Sequence, residues 1–163
     1  MKKIMKTICA IALIFAFTQN TTAQFKFSAG ADIGMVTNEG SGLSYGISVG
    51  GEYFVGENMG LTLQSGYSIV SNDYSGISSS LMPYMAGFKY YFTNNEGGLY
   101  GHAQVGLASF KVGPISSTNL SFAPGLGYLL NEHIDLGLRY QIVTANEGAD
   151  ALNWIALRAA YQF

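Results

Sequence analysis

From Phe25 to Phe163 the chain alternates large apolar side chains with small or polar ones, in eight separate runs. A period of two is the mark of a strand, because successive side chains point to opposite faces. In the first run, 25–36, Phe25, Phe27, Ala29, Ala31, Ile33 and Met35 share one face; Lys26, Ser28, Gly30, Asp32 and Gly34 share the other. The seventh, 134–144, sets Leu136, Leu138, Tyr140 and Ile142 against Asp135, Gly137, Arg139 and Gln141. The remaining runs are 42–54, 60–70, 81–92, 99–110, 120–130 and 152–163. Seven charged residues fall within these runs: Lys26, Asp32, Glu52, Lys89, Asp135, Arg139 and Arg158. All of them lie on the small, polar face. The other eight charges beyond residue 23 fall in connections.

Two environments could produce such a face. In a water-soluble sandwich the polar face is solvated and carries many Lys and Glu. Here that face is mostly Gly, Ser and Ala, and only 11% of the chain is charged, against about a quarter in soluble domains. In a membrane barrel the large side chains face lipid and the small or polar ones fill the interior. A narrow eight-stranded lumen needs small residues and a few paired charges. The run lengths suit tilted strands, which cross a bilayer in about 9 to 11 residues. Aromatics recur at the run ends (Phe25, Phe27, Tyr53, Phe54, Tyr90, Tyr91, Phe92, Tyr128, Tyr161, Phe163), where interfacial girdles are expected. The pattern predicts an all-β fold, an eight-stranded antiparallel up-and-down transmembrane β-barrel.

The N-terminus has a different design. Lys2, Lys3 and Lys6 precede the apolar run Ile8 to Phe17, and polar residues then lead to Ala23, with small Thr21 two positions earlier. That order is the order of a secretory signal, with cleavage expected between Ala23 and Gln24. About ten apolar residues are too few to span a bilayer as a helix. The expected organisation is a signal peptide at 1–23 and a barrel domain at 24–163. Cys9, the only cysteine, lies near the start of the apolar run, whereas a lipid-anchor cysteine would follow it. Residues 24–163 carry five basic and ten acidic side chains, a net charge of −5, which argues against a nucleic-acid partner.

The connections alternate as well. Those after the second, fourth and sixth runs are short and contain Gly56-Glu57-Asn58, Asn94-Asn95-Glu96-Gly97 and Asn131-Glu132-His133. They read as hairpin turns. The other connections are Ser-, Gly- and Asn-rich and mostly longer, notably Ser71 to Ser80 and Lys111 to Asn119. Short periplasmic turns and longer outer loops would give this asymmetry, and the two long segments are the candidate surface-interaction loops.

Chemistry-bearing motifs are sparse. His102 and His133 are isolated, there is no metal-ligand cluster, and the Gly repeats lack the helix a phosphate loop requires. No catalytic, cofactor-binding or metal residue is therefore assigned. His102 and Ser109 would be a conceivable base and nucleophile, but their parity puts them on opposite faces. The seven inward charges carry the main weight. Desolvated charges need partners, so Arg139 and Arg158 are expected to pair with Glu52, Asp32 or Asp135 in a lumen network. The same charges would set selectivity if the lumen were a narrow passive channel.

The Pro83-to-Phe92 stretch ending Lys89-Tyr90-Tyr91-Phe92, the signal followed by Gln24-Phe25, and the terminal Tyr161-Gln162-Phe163 resemble the small outer-membrane barrels of the OmpA/OmpX type, in the form common in Bacteroidota. The resemblance covers all of 24–163. It implies a monomer in the outer membrane, surrounded by lipid and lipopolysaccharide. It also implies that Tyr161 and Phe163 form the assembly signal read by the barrel-assembly machinery. Such barrels include adhesins, stability factors, narrow pores and lipid-modifying enzymes. The expected role is non-enzymatic, structural or adhesin-like, with an extracellular partner of unknown identity; a porin-like channel and a lipid-modifying enzyme are the alternatives.

Overall fold

A computed structural model describes residues 25–37, 42–71, 79–93, 96–113, 115–144 and 152–163. The expected signal peptide, 1–23, lies outside the described residues. Eight strands follow one another: β1 Phe25–Val36, β2 Leu43–Phe54, β3 Met59–Ser71, β4 Ser79–Tyr91, β5 Gly98–Val112, β6 Ile115–Leu130, β7 Ile134–Val143 and β8 Leu152–Gln162. Each pairs antiparallel with the next, and β8 returns to β1 through pairs such as Ser28 with Gln162 and Val36 with Trp154. The sheet closes into a barrel. Closure matters because a strand edge in hydrocarbon would leave backbone groups without hydrogen bonds.

The alternation sorts side chains as the sequence predicts. Ile47 and Leu63 on the outer wall are 68% and 69% exposed, whereas Leu81 on the inner wall is 2% exposed. A continuous apolar belt of this kind is stable against lipid rather than water. The starts of β1, β3, β5 and β7 share one end of the barrel with the ends of β2, β4, β6 and β8. Short turns join the strands there, including Asn131 and Glu132, whose positive φ of 49° and 60° is that of a type I′ hairpin turn. This short-turn end is the periplasmic one in barrels of this class.

Two sequence expectations need correction. Lys111 to Asn119 is not a loop: β5 and β6 continue through it as a hairpin, pairing Lys111 with Ser116, Phe110 with Ser117 and Ser109 with Thr118. The Ser109 and Thr118 hydroxyls are 2.8 Å apart, a cross-strand bond that suits polar residues to a strand. Gly113, with φ of 56°, takes the turn position that a β-carbon would strain. Lys111 is accordingly a strand residue, exposed on the outer face. Of the other candidate loop, Ser71 ends β3 and Ser79–Ser80 begin β4; 72–78 lie outside the described residues.

Phe54 and Tyr91 were expected in the girdle but point into the lumen, 4% and 0% exposed. Their parity is that of Glu52 and Lys89, and parity decides over residue type. The neighbouring outward aromatics Tyr53, Tyr90 and Phe92 remain on the rim.

Candidate functional site: the lumen charge network

The interior is layered along the barrel axis. Phe54, Tyr91, Tyr100 and Leu129 form a buried apolar floor at the short-turn end. Above it lie the inward charges. At the opposite end Val36, Val70, Leu81, Val143 and Trp154 form a second buried apolar layer, with Phe110 packed against it.

Asp135 is the centre of the charge layer. Its Oδ2 lies 3.0 Å from Lys89 Nζ and 3.3 Å from Arg158 Nη1, and its Oδ1 accepts a hydrogen bond from the Tyr100 hydroxyl. Lys89 Nζ also lies 3.2 Å from Glu52 Oε2, and the Tyr91 hydroxyl donates to both Glu52 oxygens at 2.9 and 3.0 Å. The ammonium therefore sits between two carboxylates, each held by a tyrosine, and 4.5 Å from the centre of the Tyr100 ring. A cation so placed gains from the ring face as well as from its counter-ions. Arg158 completes its fork on Ser48 and Ser28, each at 3.0 Å. Arg139 Nη2 pairs with Asp32 Oδ1 at 3.0 Å, both side chains 6% exposed.

The structure thus places all seven predicted charges on the inner wall. Ion pairs join Asp32, Glu52, Lys89, Asp135, Arg139 and Arg158, and Lys26 Nζ lies 5.4 Å over the Phe54 ring near the periplasmic end. Asp32 is in register with Arg158 across β1 and β8, yet it bonds Arg139, because the long side chains cross the lumen. Sequence reading missed Tyr91, Tyr100, Ser28 and Ser48 as members. Strand parity was the available signal: each lies on the same face as a charge of its own strand or of its strand partner.

Between charges and outer layer, Gln104 Nε2 donates to Gln64 Oε1 at 3.1 Å, and Gln141 Nε2 donates to Ser121 Oγ at 2.9 Å. His102 faces the lumen beside the Tyr100 ring, and His133 Nδ1 lies 2.8 Å from the Asn131 carbonyl oxygen in a turn. Among the described residues no group of three potential metal ligands is found. The terminal Tyr161 and Phe163 rings stack edge to face on the outer wall, 5.1 Å between centres.

A closed antiparallel barrel with an apolar outer belt and a charged lumen defines the class: an integral β-barrel protein of the outer membrane. The match of residues 7–163 to the family described as "Outer membrane protein beta-barrel domain" is specific, and the chain belongs to that family. Solved structures share the fold. The outer-membrane enzyme PagL aligns with a TM-score of 0.67 at 18% identity, over 82% of this chain and 97% of that one. The N-terminal β-barrel domain of Pseudomonas aeruginosa OprF gives 0.62 at 19%, over 83% and 97%. Ail, the attachment invasion locus protein of Yersinia pestis, gives 0.54 at 19%, over 85% and 97%. A search of curated proteins finds no match. Outer-membrane localisation follows from the family; the role does not, since the similar barrels include an enzyme and an attachment protein.

Proposed function

We propose that this protein is a monomeric, non-conducting, non-enzymatic outer-membrane barrel that presents the β5–β6 hairpin for surface interaction. The carrying observation is the hairpin itself. Among the described residues its pairing with β7 begins at Ser121, apart from a hydrogen bond from Thr144 N–H to the Leu120 carbonyl, so Ser116 to Asn119 extend past the last described pair with β7. At about 3.3 Å per residue those four positions are roughly 13 Å of strand. Ser116 and Thr118 are exposed there, and an exposed polar strand can dock an extended partner segment. The closed, layered lumen supports a display role over transport.

The test is attachment of cells expressing the wild type, no protein, or Thr118→Pro with Ser116→Pro, to host cells and matrix-coated surfaces. The reading expects attachment above the null strain, reduced to the null level by the proline pair while heat-modifiable gel migration is retained. Equal attachment of wild type and null strain would reject it. Mass spectrometry of lipid A from the first two strains should give the same acylation pattern; a wild-type-specific change would reject the non-enzymatic reading.

A further inference from the structure

The charged layer is the obvious barrier in the lumen, but it is not the outermost one. Six of the eight strands send apolar side chains inward at the outer end: Val36 from β1, Val70 from β3, Leu81 from β4, Phe110 from β5, Val143 from β7 and Trp154 from β8. Leu81 is 2% exposed and Trp154 4%. Their parity is the parity of the lumen charges, so these bulky residues occupy positions where the inner wall elsewhere carries Ser, Gln or Gly. Along the same strands toward the short-turn end, Gln141 follows Val143, Gln104 follows Phe110 and Gln64 follows Val70, with the ion pairs beyond.

We infer that this outer apolar layer is a dewetting seal, and that it, rather than the ion-pair network, excludes external solutes from the lumen. An apolar constriction bars ions because they would have to shed hydration without replacement, whatever charges lie behind it. The network then works in a compartment closed from the outside, where its pairs gain from low dielectric. The inference rests on the closed-barrel reading above but not on the hairpin's role, so attachment results leave it untouched.

Residues 24–163 contain no cysteine, so single-cysteine variants report cleanly. Gln104→Cys places a thiol below the seal, and Ser116→Cys places one on the exposed hairpin as a positive control. Intact cells would be treated from outside with a charged, membrane-impermeant thiol reagent. Gln104→Cys should stay unlabelled, and should remain so when Asp32→Asn and Arg139→Gln neutralise one ion pair of the network. Adding Leu81→Ser or Trp154→Ala should raise its labelling rate by at least about tenfold, as expected for a wetted constriction. Val143→Ser is a milder second opening, and heat-modifiable migration identifies the folded variants. Labelling with the seal intact, or on neutralisation alone, would overturn the inference. So would continued protection in a folded variant whose seal has been opened.

Discussion

Replacing Asp135 by Ala should destabilise the barrel more than the loss of any other single charge. The carboxylate is 1% exposed and serves Lys89, Arg158 and Tyr100 at once. Removing it leaves two buried cations short of a counter-ion, and breaking a buried pair from one side costs about 3–5 kcal/mol. Lys89 keeps Glu52, and Arg158 keeps its two serines, so the cost should fall within that range rather than above it. Urea titration of protein refolded into lipid vesicles, followed by tryptophan fluorescence, would read the change. Trp154 is the chain's only tryptophan, and it lies inside the barrel. A double-mutant cycle with Lys89→Met should return a coupling of about 0.5–3 kcal/mol, the range for groups in one network. Additive effects would mean that the pair is not energetically linked.

A comparable loss is expected from Gly106→Ala, for a steric reason. A β-carbon built on Gly106 would lie 1.9 Å from the Tyr84 carbonyl oxygen and 2.8 Å from Met85 Cα. Those are backbone atoms of the paired strand, so no side-chain rotation relieves the clash. Overpacking costs about 1–3 kcal/mol where side chains can give, and a backbone obstacle should reach the upper part of that range. Gly101→Ala is the matched control on the same strand. Its β-carbon would meet Phe92 and Leu126 at 3.7 and 3.8 Å, ordinary contact. Gel-shift yield after refolding should fall for Gly106→Ala and stay near wild type for Gly101→Ala. Equal yields would mean that the strand pair adjusts more freely than its hydrogen bonds suggest.

Much of this architecture can be read from residue order, because strand parity needs no tertiary information. Asp32, Lys89 and Arg139 declare their face through their neighbours, and once the outer surface is taken as lipid the inner one must be polar. The partners of those charges are a different matter. Asp32 stands opposite Arg158 in the register but bonds Arg139, since partner choice depends on strand tilt and on how far each side chain reaches across the lumen. Composition misled at two places. Ser116 to Asn119 looks like a loop because Ser and Asn favour turns, yet the paired strand β5 supplies the missing hydrogen bonds. Tyr90-Tyr91-Phe92 looks like one aromatic girdle, although its middle ring belongs to the lumen floor. The layering itself follows from parity combined with height, and height requires the register of all eight strands.

The central claim is a barrel whose charged interior is closed, and single-channel recording in planar bilayers tests it most directly. Purified wild-type protein, inserted at known density, should give no reproducible conductance steps in molar salt. Discrete, repeated openings by the folded wild type would contradict the account, because ions would then be crossing both the outer apolar layer and the Asp135-centred network.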